Sequence, residues 1–343
     1  MFAIVNRTPF AAILVPGVEA DGHESVVAIV RATYVTLMGS PLSLAAEQLQ
    51  PNLADSYYGE AAVSSLRYAS DVAPEKPGTD VVLIGAAHAP RGDVVELDVG
   101  LEVGSVKKTL RVYGDRFWRT ALGLRVTPSK PLPFSIMPLT YERAFCGPLA
   151  AAESGAKGRP EPLNPVGRGL PEAGGPVEAK EVPLPNLEDP ANLITSPLDR
   201  PDPAGFGFIA PHWKWRRRFA GTYDKAWAET KCPLLPDDFN PRFHNAAHPD
   251  LVSATPFRGG EAVRITNASR KGTLAFDLPR VEVQAEFLID GTAQRRFCAL
   301  DTVVIEPDED RLTLTWRASV GCHRKIKYVH GVKLTSSQRD GLR

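Results

Sequence analysis

Apolar and polar positions alternate most strictly in two places. Val95, Leu97, Val99, Leu101 and Val103 interleave with Glu96, Asp98, Gly100 and Glu102. A period of two turns one face of a strand to the core and the other to water, so this stretch reads as a half-buried antiparallel strand. Gly104-Ser105 turns the chain into residues 106–113. There Val106, Leu110 and Val112 share one face while Lys107, Thr109 and Arg111 share the other. The spacing predicts a hairpin. In the last third, Val281, Val283, Ala285, Phe287 and Ile289 alternate with Glu282, Gln284 and Glu286 and run into Asp290-Gly291. Both of those positions tolerate positive φ, which predicts a tight hairpin turn. The chain is expected to return through 294–305, turn at Pro307-Asp308-Glu309-Asp310 and come back with Leu312, Leu314, Trp316 and Ala318 on one face. Arg311, Thr313, Thr315 and Arg317 take the opposite face, and the whole predicts an antiparallel meander. Nearer the N-terminus, residues 26–38 are apolar and β-branched and end at Gly39-Ser40-Pro41. Residues 81–84 are continuously apolar, as a strand covered on both faces would be.

Between these strand-forming ends the periodicity is lost. Residues 1–127 form an N-terminal β half and 262–335 a C-terminal β meander that makes one continuous unit with it. Residues 128–201 are a Pro/Gly-rich connection, with 151–158 and 172–180 expected to be flexible, and 336–343 a polar, frayed tail. Residues 202–261 stand apart. This stretch holds Trp213, Trp215 and Trp227 of the chain's five tryptophans, with repeated prolines. Large aromatics contribute only when something packs on them, so it reads as an ordered, irregular slab rather than a disordered loop. Its one helix candidate is 222–230, with Thr222 or Asp224 as N-cap. The predicted fold is mainly β: an antiparallel sandwich-like scaffold with a long irregular insertion and one short helix.

Lys+Arg and Asp+Glu balance at 40 each, which gives no global pull toward nucleic acid or an anionic membrane. The four cysteines (Cys146, Cys232, Cys298, Cys322) include no CxxC pair and suit a reducing compartment. Arg7, Thr8 and Pro9 break the N-terminal apolar run, which argues against a signal peptide. No apolar run reaches a membrane span. A cytoplasmic location is the simplest expectation.

Candidate chemistry is sparse. His244 and His248 stand four apart, near Cys232 and the carboxylates Asp237 and Asp238, but Pro241 and Pro249 bracket them, which disfavours the long helix that such a zinc pair needs. Cys322-His323 would point to opposite faces of a strand. No nucleophile elbow, metalloprotease motif, Walker A sequence or dinucleotide fingerprint is present. No catalytic residue, cofactor or metal is assigned. Trp213-Lys214-Trp215-Arg216-Arg217-Arg218-Phe219 interleaves aromatic and basic residues. A protein-binding surface explains this better than a nucleic-acid site, because Trp and Arg are interface hot-spot residues and no nucleic-acid motif accompanies them. Arg258-Gly259-Gly260-Glu261 reads as a tight turn rather than a phosphate cradle.

Several phrases resemble a bacterial family catalogued as a domain of unknown function, DUF2169. They include Asn6-Arg7-Thr8-Pro9-Phe10, Lys76-Pro77-Gly78-Thr79-Asp80, Tyr141-Glu142-Arg143-Ala144-Phe145, Asn164-Pro165-Val166-Gly167-Arg168-Gly169 and Pro185-Asn186-Leu187-Glu188-Asp189-Pro190. The likeness is densest in Ala210-Pro211-His212-Trp213, Ala220-Gly221-Thr222-Tyr223-Asp224 and 233–243, and covers nearly the whole chain. Cys146 departs from it, standing where the family usually has glycine. The resemblance implies a role in type VI secretion, as an adaptor chaperone that holds a toxic effector and helps load it onto the spike protein VgrG or its PAAR tip. It brings no catalytic residue. Trp213, Tyr223, Asp224, Trp227, Pro236, Asp237, Phe239, Arg242 and Phe243 are then expected to be structural, and Trp215, Arg216, Arg217 and Arg218 to form an exposed partner contact. Two rivals stand beside this: a β-sandwich hydrolase using Asp237, Asp238 or His244, and a carbohydrate-binding module with a tryptophan platform. No direct nucleic-acid contact or membrane insertion is expected.

Overall fold

A computed structural model describes residues 3–19, 22–37, 39, 41–121, 125–146, 163–169, 182–322 and 326–338. Its frame is a six-stranded sheet built from both ends of the chain. Ala11–Val18, Glu24–Val35, Arg311–Gly321, Ala299–Glu306 and Asp80–Leu83 lie side by side in that order, with Ser43–Leu44 added to Glu24–Val35. All neighbours are antiparallel except Asp80–Leu83, which runs parallel to Ala299–Glu306. A five-stranded sheet runs Leu187–Glu188, Val106–Tyr113, Glu96–Val103, Ala262–Thr266, Leu274–Asp277. A four-stranded sheet runs Ala3–Asn6, Val329–Gln338, Val281–Ile289, Thr292–Phe297. The inward faces of all three contribute to one large hydrophobic core. The protein is mainly β, antiparallel and sandwich-like, as the alternation predicts, and among the described residues no sheet closes into a barrel.

The hairpin forms where expected, with Val106 opposite Val103 and Tyr113 opposite Glu96. The turn after Ile289 places Asp290 at φ 50° and Gly291 at φ 76°. The C-terminal strands depart from a simple meander. The run 294–305 is two strands broken at Cys298: Thr292–Phe297 stays with the four-stranded sheet and Ala299–Glu306 crosses to the six-stranded one. The polar tail is also corrected in part, since Ser336, Ser337 and Gln338 pair with Val283, Glu282 and Val281. Residues 339–343 lie outside the described residues, as do 151–158, 172–180 and His323.

A larger departure concerns Arg311–Gly321. The middle of its polar face is as buried as its apolar one, with Thr313, Thr315 and Arg317 at 1–3% exposure. The chain between 45 and 80 covers that face and brings charges to match. Arg317 donates to Asp301 at 2.7 Å and to the Asp71 carbonyl at 2.6 Å, and Arg31 donates to Asp71 at 3.2 Å. Ions are tolerated inside a protein only when paired and hydrogen-bonded. Alternation marks two faces; it does not say that the polar one is wet.

The segments that carry the family resemblance are largely scaffold. Asn164 donates to the carbonyls of Tyr141 and Phe145. Asn186 donates to the Tyr113 carbonyl at 3.1 Å, and Glu188 accepts from the buried Arg116. Phe145–Cys146 pairs in parallel with Arg168–Gly169. Cys146 adopts φ 116° there, a region that a side chain other than hydrogen enters only with strain. Cys146→Gly should therefore raise stability by about 1 kcal/mol, the relieved strain exceeding the entropy that glycine adds to the unfolded chain. The midpoint of urea unfolding checks this.

Candidate functional site

The slab 202–261 folds in three parts. Residues 204–210 are almost entirely buried, with Phe206 and Ile209 fully so. The chain then makes one helical turn, Lys214–Arg217, entered from an extended Trp213 at φ −76° and ψ 146°. This turn adds to the single helix that the sequence predicts. That helix is present as Lys225–Thr230, with the Asp224 side chain accepting from Trp227 N as its N-cap. Residues 221–244 form an exposed lobe, and the chain returns to the core from Asn245 to Ser253.

Asp80 fastens the returning chain to the six-stranded sheet. Its carboxylate accepts from Lys76 Nζ at 2.8 Å, from Asn245 Nδ2 at 2.9 Å and from Ala246 N at 2.9 Å. Thr79 Oγ1 donates to the Leu300 carbonyl and accepts from Phe257 N. A Cβ on Gly78 would stand 1.9 Å from the Ser253 carbonyl oxygen, so only glycine allows the two backbones to meet. The phrase Lys76-Pro77-Gly78-Thr79-Asp80 is thus a latch.

The structure corrects the expectation of an exposed Trp215-Arg216-Arg217-Arg218 patch. Trp215 is 6% exposed. It packs edge-on to Tyr141 (6.3 Å between centroids) and to His248 (4.9 Å), and Trp213 also packs edge-on to Tyr141 at 5.4 Å. The change from extended to helical backbone at Trp213 lets two tryptophans only two residues apart both point inward. Arg216 is half-buried and committed to the fold: Nε donates to the Phe243 carbonyl at 3.0 Å, Nη1 donates to the Ile209 carbonyl at 3.0 Å, and the guanidinium lies 5.2 Å from the Phe243 ring. Burial lowers its pKa from the usual arginine value. Only Arg217 and Arg218 remain exposed.

Two recesses meet at Trp215, Arg218 and Pro249. The first, a cavity of about 300 Å³, is walled by Pro77, Gly78, Trp215, Phe219 and Val252 and carries Arg216, Arg218 and Arg242. The second, of about 520 Å³, mixes Lys108, Arg200 and Arg218 with Asp189, Asp202 and Asp250. Their common region is the candidate site. Arg242, expected to be structural, is exposed and lines the first recess.

The other candidate residues are dispersed. Asp237 pairs with Lys231, and Asp238 accepts from Thr222 N and Oγ1. His244 sits among Phe239 and Phe243. His248 Nδ1 accepts from Asp250 N, and its Nε2 lies 3.3 Å from the Pro203 carbonyl. Among the described residues no group of three or more His, Cys, Asp or Glu is arranged to hold a metal. Trp227 is half-buried: Nε1 donates to the Leu234 carbonyl, and Tyr223, 52% exposed, packs edge-on at 4.7 Å. Phe239 and Phe243 pack on each other at 5.8 Å.

His244 and His248 give the slab a pH dependence. Burial, aided by the Arg216 charge at His244 and the Lys108 charge at His248, lowers both pKa values from 6.5 to about 4. The unfolded chain takes up protons near 6.5, which the folded chain refuses until about 4. Stability present at neutral pH is therefore lost as pH falls through that window, on the order of 2 kcal/mol per histidine. Burial raises the pKa values of Asp301 and Glu188, which acts in the opposite sense and offsets part of the loss. Melting temperatures measured between pH 7 and 4 should fall, and His244→Phe, which suits its aromatic surroundings, should make the decline shallower.

Among the described residues no helix is long and apolar enough to cross a membrane. No curated protein and no solved structure matches the chain. A family model described as "Uncharacterized protein conserved in bacteria (DUF2169)" matches residues 21–317. With nearly its whole length matched, this chain belongs to the DUF2169 family.

Proposed function

We propose that the chain is a non-enzymatic adaptor that binds a type VI secretion effector in the cytoplasm and helps load it onto the VgrG or PAAR spike. The observation that carries this reading is the pair of joined recesses at Trp215 and Arg218, held on a slab whose backbone is latched to the sheet by Asp80. Such a platform suits an adaptor because Trp and Arg in a preformed recess supply contact area and directed hydrogen bonds with little ordering cost. The resemblance to secretion adaptors supports the identity of the partners. Co-expression with the effector and spike proteins encoded beside it tests the reading. Either partner should co-purify with the folded chain, and a folded chain that retains neither contradicts it.

A second reading, a carbohydrate-binding module, is favoured by one observation: Trp227 lines an open groove of about 360 Å³ with Asp224, Asp237 and Asp238. Oligosaccharide binding that disappears in Trp227→Ala would favour it over the adaptor.

A further inference from the structure

We propose that the arginine-lined recess beside Trp215 binds an acidic, extended segment of a partner protein, with a carboxylate seated among Arg216, Arg218 and Arg242. The inference deepens the adaptor reading and rests on it for the partner being a protein.

Charge is the first argument. Acidic and basic residues balance over the whole sequence, yet the recess is lined by three arginines and no carboxylate. The adjoining recess mixes the two signs. The preference for an anion is therefore local to the first recess.

Arg216 is the second argument. Its side chain is half-buried, and the bonds it makes are to neutral carbonyls and an aromatic ring. Among the described residues no carboxylate forms an ion pair with Arg216, Arg218 or Arg242. Asp80 and Asp55, whose charges reach Arg216, are both engaged elsewhere: Asp80 accepts from Lys76, Asn245 and Ala246, and Asp55 from Ser70 N. A guanidinium has five N–H donors, and Arg216 gives two of them to carbonyls. A carboxylate entering the recess would meet the remaining donors in the geometry that arginine favours.

The walls decide what carries that carboxylate. Trp215, Phe219, Pro77 and Val252 present apolar surface beside the guanidiniums, which suits a peptide with aliphatic residues next to its acidic ones. A nucleic acid requires a continuous basic track for successive phosphates. Here the path onward past Trp215 meets Asp189, Asp202 and Asp250.

Calorimetric titration of the full chain tests this with three probes: a short peptide alternating aspartate and leucine, its counterpart with lysine for aspartate, and inorganic phosphate. The acidic peptide should bind, and its affinity should fall about tenfold when NaCl is raised from about 0.05 to about 0.5 M. Arg218→Glu and Arg242→Glu are substitutions at exposed positions and should leave the fold intact by circular dichroism. Each should weaken the acidic peptide about tenfold, and the double variant should take the lysine peptide instead. Binding of phosphate without the acidic peptide would make the recess a small-anion site and overturn the proposal. So would equal binding of the acidic peptide by wild type and double variant, or no binding of it by wild type. Failure of the adaptor reading looks different: the acidic peptide binds as described, but neither effector nor spike protein co-purifies.

Discussion

Replacing Asp80 with alanine is expected to lower the stability of the fold by about 3–5 kcal/mol, the cost of leaving a buried charge without its partner. Asp80 is fully buried, and the Lys76 side chain that it neutralises is 2% exposed. Removing the carboxylate strands the Lys76 ammonium, whose remaining bond is to Thr302 Oγ1 at 2.8 Å. It also removes an acceptor from Asn245 Nδ2 and the acceptor of Ala246 N, where the slab rejoins the core. Asp80→Asn keeps an acceptor but not the charge and should fall between alanine and wild type. Lys76→Met should cost less than Asp80→Ala, because the carboxylate would keep two amide donors. Urea unfolding of the three variants should show Asp80→Ala to be the least stable.

Trp213→Ala should cost about 3–5 kcal/mol, and Trp215→Ala a similar amount. Trp213 is 1% exposed and Trp215 6%, and Tyr141 touches both rings. Tyr141 is itself fixed by Gly205, where a Cβ would stand 2.6 Å from its ring. Deleting either indole opens a void that this packed arrangement cannot close. Trp227→Ala should cost only about 1 kcal/mol, since the half-exposed ring gives up one hydrogen bond and one edge contact. A Trp215→Ala variant with wild-type stability would contradict the packing described here.

The strands were legible because their signal is local. The alternation from Val95 to Val103 and the Asp290-Gly291 turn specify their geometry without help from the rest of the chain. The split at Cys298 was not legible, since one continuous run can serve two sheets and only packing decides where it crosses. Nor was the burial of Arg317 and Thr313, because their covering segment lies far away in sequence. The slab was legible as ordered from its aromatic content, but the direction of each side chain was not. Lys214–Arg217 is a single helical turn, and its inward face depends on how Trp213 enters it. Trp215 therefore reads as a surface residue in the sequence and is a core residue in the fold, whereas Arg242 does the reverse. What joins Arg242 to Arg216 and Arg218 is the return of the chain from the exposed lobe, which no spacing in the sequence encodes.

Hydrogen–deuterium exchange of the chain alone and in complex with its co-expressed effector or spike protein tests the central claim most directly. Binding should slow exchange at 215–219 and 242–254, the segments around the arginine-lined recess. Protection confined to other surfaces, with those two segments exchanging as they do in the free chain, would contradict it.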